Sequence, residues 1–91
     1  MKTLRIVGKR WFDKGAGNTY HSVRIWIDGK EVEGISFAYG YDQQYLDNAT
    51  TLLASKKLID IEPNEAIWRW AERKGVDFTY HVDDVKRKKD L

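Results

Sequence analysis

The dipeptide Asp28-Gly29 constrains the fold of this chain more than any other feature of its sequence. It separates two runs in which apolar and polar residues alternate, Thr19 to Ile27 and Lys30 to about Tyr39, and both of its residues tolerate positive φ. Such a pair predicts a tight hairpin, and a hairpin with alternating strands commits the chain to a sheet with one buried face. In the first run Val23, Ile25 and Ile27 share one side, with Tyr20, Arg24 and Trp26 on the other. Ile35 and Phe37 are the expected buried side of the second run.

Upstream, Thr3 to Phe12 also alternates, with Leu4 and Ile6 opposed to Arg5, Val7, Lys9 and Trp11. The segment Asp13 to Asn18, DKGAGN, joins it to the hairpin through residues suited to a chain reversal. Downstream, Gly40 and the potential cap Asp42 introduce a helix of roughly four turns, with Leu46, Ala49 and Leu53 at helical spacing and Tyr45 and Leu52 beside them. Pro63 to Lys74 reads as a second helix stopped by Gly75, with Ile67, Trp70 and Ala71 inward and Trp68 off the stripe. Val76, Phe78, Tyr80 and Val82 alternate in a last strand. The expected fold is an α+β domain: a three-stranded antiparallel meander, two helices and a closing strand (β-β-β-α-α-β), with the helices packed on one sheet face.

Ninety-one residues fit one core, so residues 1–85 are assigned to a single domain and 86–91 to a basic tail. With 42% hydrophobic and 33% charged residues the composition is that of a folded domain. Without cysteine, neither disulfides nor thiolate zinc sites are available. No run approaches the roughly 18 apolar residues of a membrane helix, and the start has no apolar leader stretch; the expectation is a cytoplasmic protein without a membrane partner.

Four Trp, five Tyr and three Phe exceed what so small a core encloses readily, so some rings should be exposed. If the helices cover the face of Leu4, Ile6, Val23, Ile25, Ile27, Ile35 and Phe37, the opposite face interleaves cations and rings: Arg5, Lys9, Trp11, Tyr20, Arg24 and Trp26. Rings that stack on bases beside cations that meet phosphates suit single-stranded nucleic acid or a nucleotide. Arg10 and Asn18 join the candidate ligand-binding set. The same residues could instead be ordinary cross-strand pairs, or the interface of a homo-oligomer or with a protein partner.

Other groupings are weaker. Gly15-Ala16-Gly17-Asn18 with Lys14 could offer backbone N–H groups to an anion, but no Lys-Ser/Thr and helix follow as a P-loop requires. His21 and adjacent Ser22 point to opposite faces, which defeats a nucleophilic triad, and His21, His81 and Asp83 or Asp84 form only a weak ligand pattern for a metal. Glu31 and Glu33 are solvated carboxylates beside a turn. No catalytic residue, metal or cofactor is assigned, and an enzyme would need a general base that the sequence does not provide. Lys86 to Lys89 could reach phosphates or serve as a solubilising end.

The segments KRWF (Lys9 to Phe12), GNTYH (Gly17 to His21) and AYGYD (Ala38 to Asp42), spaced around the hairpin, make the chain resemble a group of small phage and prophage proteins with this layout. The likeness covers roughly the first half of the chain. That group carries no established activity, so the resemblance implies a viral accessory setting in a host cytoplasm and transfers no catalytic residue. It implies action by binding, to nucleic acid, to a nucleotide signal, or to a host protein that it inhibits.

Overall fold

The computed structural model describes residues 1–91 and has the expected element order. Strands β1 (Thr3–Asp13), β2 (Asn18–Ile27) and β3 (Lys30–Tyr39) form the meander, helices α1 (Gln44–Ser55) and α2 (Ile67–Lys74) follow, and β4 (Asp77–Val85) closes the sheet. Asp28 and Gly29 have φ of 51° and 80°, the two positive values of a hairpin turn whose twist matches its strands. The Asp28 carboxylate also accepts the N–H groups of Lys2 and Thr3 at 2.7 and 2.9 Å, which holds its pKa below the usual carboxylate value and ties the turn to the start of β1.

The strand order is β3-β2-β1-β4, and β4 runs parallel to β1, from Thr3 opposite Asp77 to Trp11 opposite Val85. The sheet is therefore mixed, with only the meander antiparallel. Because β3 and β4 run in the same direction, the chain between them must cross over the sheet, and the two helices are that crossover.

The core follows from the alternation. Leu4, Ile6, Val23 and Ile25 project from the sheet against Tyr45, Leu46, Ala49 and Leu53 of α1 and Ile67, Trp70 and Ala71 of α2, all at 8% exposure or less. Burying each larger side chain contributes about 1.5–3 kcal/mol. Gly8 lies on this same face, and a Cβ there would stand 2.6 Å from Cδ2 of Tyr45. The missing side chain lets the Tyr45 ring lie directly on β1.

The structure corrects three details. Phe37 is not on the buried side: it is 44% exposed and stacks on Tyr20 across the open face. Two register irregularities in the β2–β3 ladder, between His21 and Val23 and between Val23 and Ile25, place extra residues in β3 and break its alternation. Gly34 sits in the bulged stretch, where an added Cβ would collide with the Val23 carbonyl oxygen.

Asp42 does not cap α1. It adopts φ 57°, turning the chain, and the cap position falls to Gln43 with no side-chain bond, which shortens the helix to 12 residues. Nor does Pro63 open α2. Asn64 takes φ 64°, a left-handed conformation that interrupts a helix, and the Glu65 carboxylate accepts the Glu62 N–H at 3.0 Å to form a turn; α2 starts at Ile67.

Ion pairs and one indole then hold this turn to α2. Trp70 Nε1–H donates to Asp60 at 2.9 Å, Lys74 approaches the other Asp60 oxygen at 2.6 Å, and Arg73 forms a fork with Glu65 at 2.9 Å. The Lys74 and then Trp70 contacts pull the Asp60 carboxyl down to about 2, and Arg73 followed by the Glu62 N–H does the same for Glu65.

Candidate ligand-binding face

The sheet face away from the helices is set by pairing. Arg5 lies opposite Trp26, Val7 opposite Arg24, Lys9 opposite Ser22 and Trp11 opposite Tyr20, so these residues of β1 and β2 share one surface. Beyond Tyr20, β3 adds Phe37 and Tyr39. The rings form a continuous row: Trp11 to Tyr20 at 5.9 Å and Tyr20 to Phe37 at 4.7 Å, both stacked, with Tyr39 edge-on to Tyr20 at 5.7 Å. Tyr39 is 63% exposed and is the ring most open to a ligand.

Trp26 is separate from this row. The Arg5 and Arg24 guanidinium groups lie over its ring at 5.2 and 5.4 Å, so much of the ring surface is already taken by cations. Arg24 is further committed to a two-pronged contact with Glu31 at 2.7 and 3.0 Å, and this pairing raises its pKa above the ordinary value. Arg5 and Lys9 have no acidic partner in the structure, which leaves both available to an anion.

Between the aromatic row and the Trp26 cluster lies a hollow of about 430 Å³, bordered by Val7, Lys9, Ser22, Arg24, Ser36 and Leu91. Ser22 is only 7% exposed, yet its hydroxyl has no hydrogen-bond partner within the protein, and it is not sealed from the hollow. The hydroxyl is reached by solvent through the hollow, so it is free to meet a ligand there. The segment after β4 folds back over this region: Lys88 Nζ stands 4.9 Å from the Phe37 ring centre and Leu91 borders the hollow. The expectation of a free basic end is replaced by one that packs on the candidate face.

Of the residues singled out from sequence, Arg5, Lys9, Trp11, Tyr20, Arg24 and Trp26 come together as expected. Asn18 sits on the same side at the far hairpin end, opposite Asp13. Arg10 does not belong to the set: it faces the helix side opposite His21, pairs with Asp84 at 2.9 Å and donates to the Asp42 carbonyl at 3.3 Å. Strand alternation requires this, since Arg10 lies between Lys9 and Trp11.

The Gly15 loop is not an anion cradle either, because the Asp13 carboxylate already accepts the N–H groups of Gly15 and Ala16 at 3.0 and 3.3 Å. His21 is 1% exposed under α1, with Nδ1 3.2 Å from the Gly40 carbonyl and Nε2 2.8 Å from the Asn48 amide nitrogen. A neutral ring protonated at Nδ1 satisfies both contacts. His81 lies at the surface against Asp83 at 2.8 Å, and no three metal-ligating side chains converge anywhere in the chain.

Phe37, Tyr39, Ser22 and Leu91 were absent from the sequence-derived set. A strict period-2 reading hides Phe37, and only long-range packing brings Leu91 to the sheet. No protein-family model, curated protein or solved structure matches the chain.

Proposed function

We propose that this chain is a non-catalytic binding module of phage-type accessory character, whose aromatic and basic sheet face takes single-stranded nucleic acid or a nucleotide. The observation that carries the reading is the pair Lys9 and Ser22, directly opposite in the β1–β2 ladder. Neither has an ion-pair or hydrogen-bond partner within the protein, and both border a hollow beside a row of rings. Lys9 and Ser22 would meet a phosphate there, Arg5 would add charge, and a base would stack against Tyr39 and the row behind it. Each stacked base contributes about 1–3 kcal/mol, and phosphate contacts make binding fall with salt.

The test is the fluorescence anisotropy of a labelled single-stranded oligonucleotide and of a labelled mononucleotide, titrated at low and high salt. Saturable, salt-sensitive binding that is lost in Lys9→Glu and weakened about tenfold or more in Tyr39→Ala is expected. Binding unchanged in both variants would refute the assignment of the site.

A second reading has its own support. The prestacked rings and the Arg5–Trp26–Arg24 cluster form a rigid surface of the residue types that dominate protein interfaces, which suits inhibition of a host protein. Absence of nucleotide binding together with specific capture of one host protein, lost in Trp26→Ala, would favour it.

A further inference from the structure

We propose that the free edge of β4 pairs antiparallel with β4 of a second copy of this chain, joining two four-stranded sheets into one. A sheet has two edges, and here they differ. The β3 edge is broken by two bulges and carries Lys30, Glu31 and Glu33, which are devices that block edge-to-edge pairing. The β4 edge has none of these along its middle: it runs nine residues in uninterrupted register with β1, and its central segment Phe78-Thr79-Tyr80-His81-Val82 contains no proline, glycine, lysine or carboxylate. Long, regular strands of this composition are templates for another strand.

The direction of the backbone groups selects the register. Asp77 N–H donates to the Lys2 carbonyl at 2.9 Å, so it faces β1. Since successive residues of a strand turn their N–H and C=O to alternate sides, those of Phe78, Tyr80 and Val82 face outward. No loop, cap or side-chain hydrogen bond reaches them.

A two-fold axis at Tyr80 sets Tyr80 against Tyr80 of the second copy and Phe78 against Val82 of the second copy. This gives three hydrogen-bonded pairs and about six N–H···O bonds, all from groups now without a protein partner. The side chains of these residues share the helix side of the sheet, so the pairing aligns apolar with apolar.

The side chains point to a second copy as the partner: under one rotation Phe78 meets Val82 and Tyr80 meets Tyr80, so apolar residues oppose apolar ones across an isologous interface. The patch extends beyond the strand. Tyr80 is 53% exposed and stacks on Phe78 at 5.4 Å, and a groove beside them is lined by Leu46, Ile67 and Trp68, the last 52% exposed. A net charge of +2 offers little resistance to self-association. At the ends of the pairing Asp77 approaches Asp83 of the second copy, so salt should strengthen this contact by screening.

The test is the mass in solution by sedimentation and light scattering over a range of concentrations and salt. The wild type is expected at twice the 10.7 kDa chain mass, more so as salt rises. Tyr80→Pro removes the outward N–H together with the ring and should give a folded monomer, with circular dichroism checking the fold. Tyr80→Lys keeps the N–H and sets like charges together at the axis; it should also be monomeric and decides the matter should the proline variant unfold. Trp26→Ala, on the other face, should remain dimeric. A monomeric wild type at every concentration, a dimeric Tyr80→Lys, or a dimer split by Trp26→Ala would each overturn the proposal.

Discussion

Placing one methyl group at Gly8 tests a close contact between α1 and the sheet. A Cβ at this position would lie 2.6 and 2.8 Å from Cδ2 and Cγ of Tyr45. Carbon atoms pack best at about 3.5–4.0 Å, so the ring must retreat by about 1 Å. Tyr45 is 1% exposed and has little room to do so.

Forcing extra volume into a filled core costs about 1–3 kcal/mol, and loss of glycine's freedom in the unfolded chain returns about 0.4–1 kcal/mol. Gly8→Ala should therefore destabilise the domain by about 1–2 kcal/mol and lower Tm by about 5–15 °C. Thermal and urea unfolding followed by circular dichroism measure both. Gly15→Ala, where the new atom meets only Asp13 Oδ1 at 3.4 Å, is the control and should be nearly neutral. The two positions should also be coupled: with Tyr45→Leu in the background, Gly8→Ala should cost at least about 1 kcal/mol less. A Gly8→Ala protein as stable as the wild type, or strictly additive effects, would refute the steric account.

Acid should loosen the turn before α2. Asp60 and Glu65 have pKa values of about 2 against unfolded values of 3.8 and 4.5, so their contribution is fully present above about 4.5 and is lost as pH falls towards 2. Urea midpoints across that window should fall more steeply for the wild type than for an Asp60→Asn/Glu65→Gln double variant, and parallel curves would count against the linkage. Leu91→Ser should open the hollow: losing the packing of a half-buried leucine, about 1 kcal/mol, would tighten mononucleotide binding about fivefold and lower Tm by about 4–8 °C. Unchanged or weaker binding in that variant would show that Leu91 does not compete with the ligand.

Local chemistry explains which parts of this structure were legible in the sequence. The Asp28-Gly29 turn, the alternation in β1 and β2 and the inward residues of α2 depend on near neighbours, and each was read correctly. Phe37 was misread because a bulge shifts facing by one residue, and the collision that forces Gly34 involves a carbonyl on another strand. Asp42 and Asn64 have good helix-boundary side chains, but tight turns pull both into left-handed conformations before a helix can start. The direction of β4 could not be read from its own residues, because alternation is the same for parallel and antiparallel neighbours.

For the site, the six open-face residues of β1 and β2 followed from alternation alone. That Trp26 is already covered by two arginines, and that Leu91 reaches the hollow, depends on contacts between distant segments.

The parallel pairing of β1 with β4 also has a consequence during synthesis on the ribosome. Arg10 and its ion-pair partner Asp84 are 74 positions apart, so at about 5–20 residues per second β1 waits roughly 4–15 seconds for its second neighbour. During that interval the meander can form, but its first strand is an unprotected border and Leu4 and Ile6 await much of their helical cover. Closing so long a loop also slows the final step. The emerging chain is thus at its most vulnerable to aggregation late in translation, and a chaperone that shields the β1 border in that interval should improve its yield.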